Sequence, residues 1–262
     1  MILKITIKFF DHFIVYDFET ILSKTEIKKT DHLNYTNKHI PVSFSIFSNI
    51  EGFNVKPIHK VNNDPKMLIE LFVSNLREIA GKSYEINVQK YKDIYKQNYN
   101  LEDKKLMSKC FGMFDKRIRE VPVIGFNSAK YDCNIMKVYL CDALKKYDFV
   151  FDKDKDKQNT QALKTGNCYR VITSEHLKFL DVSNFLAAGT SLDKWLKAYK
   201  CEVQKAIFPY EWLDYYNKLY ESKLPDYDLW YSSLKNKNVS VEDYNEAIKL
   251  YNDNNFKICL II

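Results

Sequence analysis

The chain has 262 residues, of which 46% are hydrophobic and 28% are charged, with only 6 glycines and 6 prolines. This composition excludes a low-complexity or disordered chain and suffices for a hydrophobic core without disulfides. The formal charge of +6 permits nucleic-acid binding without demanding it. The 6 cysteines show no zinc-binding spacing, and no apolar run reaches membrane-spanning length. We therefore expect an intracellular protein that binds no membrane.

The first half of the chain predicts two strands and a helix. Alternating β-branched and aromatic residues predict strands at 14–19 and 41–47, joined by a polar, hairpin-like connection over 21–40. A helix is predicted from Asp64 to Ala80, because Asp64 can cap it and apolar residues recur at spacings of three and four. The segment 82–120 is predicted as a helical or irregular insertion.

The second half of the chain alternates strands and helices. A short buried strand is predicted at 121–126, followed by a turn and a helix over about 132–146. The remaining predicted elements are strands at 168–172 and 177–182, a helix at 191–199, and a helix from a Ser240 cap to about Leu250. This loose alternation indicates an α/β or α+β layer fold.

Asp17 and Glu19 form the sharpest chemical pattern in the sequence. On a strand, residues two apart face the same way, so the two carboxylates project side by side. Two close negative charges repel each other unless something neutralises them, and a pair of Mg²⁺ ions does so. Two such ions can hold both the attacking and the leaving oxygen of a phosphodiester. The solvated face of an edge strand is the simpler explanation of the same pattern.

A second pattern runs from Asn127 to Asp132. The asparagine ends a predicted buried strand, and the aspartate opens a predicted helix five residues later. The Asn127 amide can position a DNA strand, and the Asp132 carboxylate can reach a metal ion. A strand end and a helix cap explain these residues more simply.

Taken together, the two patterns are more specific than either alone. The aromatic-Asp-Phe-Glu-Thr segment at 16–20 and the Asn-x-x-x-Tyr-Asp segment at 127–132 resemble the first two exonuclease motifs of family B DNA polymerases. These motifs belong to the DEDD-type 3′–5′ exonucleases. Segments resembling the protein-primed subgroup, known from linear plasmids of fungal mitochondria, some viruses and related mobile elements, lie at 179–186, 191–196, 205–212, 224–225 and 231–235.

The resemblance implies a fold and an activity. The fold would be ribonuclease H-like, an α/β mixed sheet flanked by helices, with its core at about 10–200. An insertion would occupy 60–120, and a subgroup-specific extension would occupy 200–262. The activity would be proofreading during DNA replication, in which nucleotides are removed from a DNA 3′ end by two-metal hydrolysis.

The resemblance also implies roles for individual residues. Asp17, Glu19 and Asp132 would be the catalytic carboxylates and the ligands of two Mg²⁺ or Mn²⁺ ions, and Lys205 would support the exonuclease site. The single-stranded DNA 3′ end would be contacted by Phe18, Thr20, Asn127, Tyr131, Ser191 and Leu192. A terminal priming protein is the other partner that the resemblance suggests.

Two features depart from the family pattern. The Ser/Thr-Leu pair expected soon after Asp181 is replaced by Val182-Ser183, whereas Ser191-Leu192 lies further on. The third exonuclease motif, a Tyr three residues before an Asp that supplies the fourth carboxylate, is missing, since Asp253 does not have that spacing. We therefore expect a single, incomplete exonuclease domain that is truncated before any polymerase domain.

Two alternatives stay open at the level of sequence. One is a catalytically inactive polymerase remnant that at most binds single-stranded DNA or a terminal protein. The other is an unrelated nuclease of the same fold, such as a stand-alone RNA-trimming enzyme, although the segment 205–212 favours the polymerase subgroup. The plasmid-borne relatives point to mitochondria, but no transit peptide is evident.

Overall fold

The computed structural model describes residues 10–30, 33–93, 104–151, 160–201, 207–233 and 235–253. This part of the chain is α/β, with a seven-stranded mixed sheet in the order β3-β2-β1-β4-β7-β6-β5, flanked by helices. The strands are β1 Ile14–Thr30, β2 Leu33–Ser48, β3 Ile58–Val61, β4 Val121–Gly125, β5 Gln161–Thr165, β6 Cys168–Thr173 and β7 Leu177–Asp181.

Parallel and antiparallel pairings divide the sheet. Strand β4 pairs in parallel with β1 on one side and with β7 on the other. Strand β6 runs antiparallel to both β7 and β5. The three parallel strands β1, β4 and β7 are therefore neighbours, and their carboxyl ends point the same way.

The prediction of a connection over 21–40 is wrong, because β1 and β2 extend through most of that segment. Lysines such as Lys24 and Lys38 are exposed on these strands. Their polarity therefore marks solvent-facing strand positions, and the backbone hydrogen bonds between two strands do not depend on apolar side chains. Strand β5 was missed for a related reason: all five of its residues are exposed, so it has no apolar alternation.

The predicted helices are present, and several are longer than predicted. The α-helices are α1 Pro65–Lys90, α2 Lys104–Arg119, α3 Asp132–Phe151, α4 Leu192–Ala198 and α5 Val241–Asp253. The Asp64 cap is confirmed, since its carboxylate accepts a hydrogen bond from the Lys66 amide at 2.8 Å. The Ser240 hydroxyl likewise accepts from the Asp243 amide at 3.1 Å. No helix in the described ranges is both long and apolar enough to cross a bilayer.

The chain forms two compact units made from interleaved segments. The first comprises Met1–Asp17, Ser45–Ile58 and Ile69–Phe185, and the second comprises Phe18–Phe44, His59–Leu68 and Leu186–Ile262. Each unit has its own aromatic core among its described residues. In the first, the rings of Tyr16, Phe72 and Phe179 are 5.3–6.5 Å apart between centroids. In the second, Trp212, Trp230 and other apolar side chains form a separate buried cluster.

Candidate functional site

Polar residues of the first unit lie around the carboxyl ends of β4 and β7. Val15 of β1 is in register with Ile124 of β4, and Gly125 of β4 is in register with Asp181 of β7. Asp17 follows Val15 by two residues on β1. Open α/β sheets bind ligands beyond the carboxyl ends of their strands, so the carboxyl ends of β4 and β7 are the candidate position for a site.

The loop from β4 to α3 turns sharply just beyond the carboxyl end of β4. A Cβ atom added at Gly125 would lie 2.5 Å from the Cβ of Ser128 and 3.2 Å from the ring of Tyr16. The backbone of Asn127 has a φ of 58°, in the left-handed region that asparagine tolerates better than most residues. Glycine and asparagine at these two positions therefore permit a turn that few other residues would allow.

Asp181 holds this loop through its backbone. One carboxylate oxygen accepts hydrogen bonds from the amides of Asn127 at 2.9 Å and Ser183 at 2.8 Å, and the other accepts from the amide of Ala129 at 2.9 Å. The side chain is only 3% exposed. A buried carboxylate with three backbone donors is well compensated for its loss of water.

Asp132 is the first residue of α3 and is also 3% exposed. Next to it in sequence, the Cys133 sulfur lies 3.9 Å from the Tyr16 hydroxyl. Burial, together with the charges of Cys133 and Asp132, holds the pKa of Tyr16 well above its ordinary value. The Tyr16 hydroxyl therefore keeps its proton to a higher pH than an ordinary tyrosine does.

The predicted residues on β1 alternate between exposure and burial. Asp17 is exposed and Glu19 is partly buried, as expected for one face of the strand. Phe18 is 2% exposed and packs its ring against Phe44 at 5.8 Å. Thr20 is 8% exposed, and its hydroxyl is 3.0 Å from a ring nitrogen of His39. In this structure Phe18 and Thr20 are thus core side chains. The chain passes from the first unit to the second after Asp17.

The other predicted DNA contacts differ in their surroundings. Asn127 and Tyr131 are both exposed on the loop between β4 and α3. Ser191 caps α4 by accepting a hydrogen bond from the Lys194 amide at 3.2 Å, and Leu192 begins that helix within the second unit. Lys205 lies outside the described residues.

The predicted metal ligands match a hard divalent cation in donor type. Carboxylate oxygens such as those of Asp17, Glu19 and Asp132 are what Mg²⁺ and Mn²⁺ prefer. Across the residues that the structure describes, no three His, Cys, Asp or Glu side chains are grouped closely enough to hold one ion. The donor chemistry therefore fits, and the gathering of three ligands stays a prediction.

Sequence reasoning assigned no role to Asp181 or Gly125, the two residues that shape the loop. The available signal was an acidic residue at the end of a buried strand and a glycine just before Asn127. Neither pattern predicts a contact between distant segments, because Asn127 and Ala129, the loop partners of Asp181, lie more than 50 residues away in sequence.

Comparison with known proteins leaves the family as a prediction. Neither a protein-family model nor a curated protein sequence matches this chain. The resemblance stated above is carried by the residues at 16–20 and 127–132 and by the downstream segments.

Proposed function

We propose that this chain is the 3′–5′ exonuclease region of a protein-primed family B DNA polymerase, acting on single-stranded DNA 3′ ends during replication. The observation that carries the proposal is the arrangement of the parallel strands β1, β4 and β7. There, the parallel pairing of β1 with β4 brings Asp17, near the start of β1, close to the carboxyl end of β4, where the loop containing Asn127 begins. The same two segments carry the sequence resemblance.

The strand order supports a ribonuclease H-like fold as part of this proposal. Strands β3, β2 and β1 are consecutive neighbours in the sheet, and the parallel strands β4 and β7 follow on the other side of β1. This arrangement is compatible with such a fold, in which the acidic residues lie on the first strand and after a later parallel strand.

On this proposal, Asp17, Glu19 and Asp132 are the ligands of two Mg²⁺ or Mn²⁺ ions. Such ions supply activation of an attacking water and neutralisation of charge on the scissile phosphodiester. The protein itself orients the DNA. The side-chain amide of the exposed Asn127 can donate a hydrogen bond to a phosphate or a sugar, and the exposed ring of Tyr131 can stack on a base. Lys205 is proposed to stabilise negative charge near the site.

The proposal is tested by release of nucleotides from 3′-labelled single-stranded DNA with Mg²⁺ or Mn²⁺. We expect Asp17→Ala to reduce the release rate by about 100-fold or more, because it removes a predicted metal ligand. Asp142→Ala is the matched control, since Asp142 is an exposed carboxylate on α3 outside the proposed site. Equal rates for native chain and D17A would overturn the assignment of Asp17.

A binding protein without catalysis is the second candidate. It is favoured by a departure from the family pattern in the sequence: Asp253 does not have the spacing of the third exonuclease motif. Fluorescence anisotropy with labelled single-stranded DNA in EDTA would measure binding independently of cleavage. Metal-independent binding without nucleotide release in Mg²⁺ or Mn²⁺ would favour this candidate over the exonuclease.

A further inference from the structure

We propose that Asp181 is a positioning residue that holds the β4–α3 loop in the shape required to present Asn127 to a DNA 3′ end. The inference rests on the proposed function, since the sequence resemblance assigns Asn127 a DNA contact but assigns no role to Asp181. All of the residues involved belong to the first unit.

The geometry at Asp181 is that of a clasp between two strands. Asp181 is the last residue of β7 and is paired in register with Gly125, the last residue of β4. Its two carboxylate oxygens reach across to the amides of Asn127 and Ala129, both at 2.9 Å. The carboxylate therefore spans the outermost turn of the loop and ties it to the neighbouring strand.

The loop needs such a clasp because its conformation is intrinsically unfavourable. The φ of 58° at Asn127 costs free energy for any residue other than glycine. The loop also lies directly against β4, since a Cβ added at Gly125 would be 2.5 Å from the Cβ of Ser128. Two amides that would otherwise be solvated instead point inward, and a buried acceptor must satisfy them.

Further backbone hydrogen bonds connect the loop to α3 and to β6. The Ser128 carbonyl accepts a hydrogen bond from the Cys133 amide at 2.9 Å, which starts α3 directly beside Asp132. The Ala129 carbonyl accepts from the Tyr169 amide at 3.0 Å, which anchors the loop to β6. Releasing Asp181 would thus loosen the segment that begins with Asn127 and leads to Asp132.

A carboxylate suits this position better than its amide counterpart. Asparagine at position 181 would keep one oxygen acceptor but would turn an NH₂ group toward at least one backbone N–H. Two donors would then face each other in a buried place, which leaves both without an acceptor. Asp181→Asn therefore breaks at least one hydrogen bond of the clasp with almost no change in side-chain volume.

Hydrogen exchange tests the clasp without any activity measurement. In the native chain the amides of Asn127 and Ala129 should exchange more slowly than unstructured peptide amides, although the loop is at the surface. In D181N their protection should fall by about tenfold or more, while the amide of Val123 in β4 stays protected. Asp142→Asn, on the exposed face of α3, is the matched control and should leave the protection of all three amides unchanged.

DNA binding tests the positioning role. We expect D181N to weaken affinity for a single-stranded 3′ end about tenfold, and Asn127→Gly, which keeps the loop conformation but removes the amide side chain, to do the same. If Asp181 acts through Asn127, the double variant should bind no more weakly than either single variant. Additive losses would contradict that mechanism and indicate separate contacts.

The outcomes separate this inference from the proposed function. Native binding with unchanged affinity in D181N, despite lost amide protection, would overturn the positioning role and leave the exonuclease proposal intact. No binding by the native chain would overturn the proposed function and the positioning role together, with the exchange data still reporting on the clasp. Unprotected amides in the native chain would overturn the clasp itself, even if D181N failed to fold.

Discussion

At Gly125 the backbone of β4 passes so close to Ser128 that a single added carbon atom would collide with it. The nearest distances from an added Cβ are 2.5 Å to the Ser128 Cβ and 2.6 Å to its hydroxyl oxygen. Ser128 is itself buried, so neither residue can move away into solvent. The requirement for glycine here arises from this close approach of the Ser128 side chain to the β4 backbone.

Gly125→Ala should therefore lower the free energy of unfolding by about 1–3 kcal/mol, as overpacked substitutions in a tight core do. Urea denaturation monitored by circular dichroism measures the change. Gly81→Ala is the control: it lies within α1, where an added Cβ meets nothing within 4 Å. That substitution should raise stability by about 0.5–1 kcal/mol, because alanine favours a helix. A neutral result for G125A would show that the loop can shift.

At the scale of the elements, α3 shows how one helix separates a buried from an exposed face. Met136, Leu140 and Leu144 are buried, whereas Val138 and Cys141 are exposed. These positions follow the helical spacing of three and four residues. The apolar face was readable from the sequence, since the period needs no knowledge of what packs against it.

The two cysteines of α3 should react at very different rates because of this separation. Cys133 is buried, and burial raises the pKa of its thiol to about 12, whereas Cys141 is exposed. Since the thiolate is the reactive form, we expect iodoacetamide at pH 8 to alkylate Cys133 more than about 100-fold more slowly than Cys141. Mass spectrometry of digested samples measures both sites in one experiment.

Unfolding provides the control for the alkylation experiment. In denaturant the two thiols should react at similar rates, because both are then exposed to solvent. Comparable rates in the folded chain would mean that the amino-terminal turn of α3 opens readily. Such opening would also expose Asp132, the neighbour of Cys133 in sequence.

The strands show where sequence patterns are less informative. The pattern at 14–19 predicted a strand with Asp17 and Glu19 on the same face, because the alternation of faces along a strand is a local property. The length of β1 and the existence of β5 depend on backbone pairing with neighbours, which side-chain polarity does not reveal.

At the scale of the whole molecule, a partly buried histidine, His176, should make stability depend on pH. His176 packs near Tyr84, with 6.4 Å between the ring centroids, and its backbone carbonyl accepts a hydrogen bond from the Val121 amide. Burial, aided by the positive charges of Arg77 and Arg119, lowers the pKa of His176 from 6.5 to about 4. The folded chain therefore binds the His176 proton less readily than the unfolded chain does.

This contribution to stability should be complete above about pH 6.5 and should diminish as the pH falls toward 4, because the unfolded state takes up the proton first. Between pH 7 and pH 5 the loss should be roughly 2 kcal/mol. Urea denaturation at several pH values measures it.

His176→Gln should have a correspondingly flatter profile over this range. Burial also lowers the pKa values of His12, His39 and His59, so the native chain alone would not isolate the effect. The decisive quantity is the difference in slope between the native chain and H176Q. Parallel profiles would mean that His176 is readily protonated in the folded state.

Local patterns of residues predict the elements with strong periodicity, and the residue types in those patterns suggest the chemistry. The apolar face of α3, the caps Asp64 and Ser240, and the paired positions of Asp17 and Glu19 all follow from helix or strand geometry over a few residues. Such features depend on neighbours in the chain, so a reader of the sequence can find them.

The contacts between distant segments become visible only in the folded structure. It buried Phe18 in a core, and it joined Asp181 to the amides of Asn127 and Ala129 across more than 50 residues of chain. It also placed Ser128 against Gly125. These relations depend on which strands lie side by side, a choice made by the packing of the whole sheet and one that a local pattern of residues does not encode.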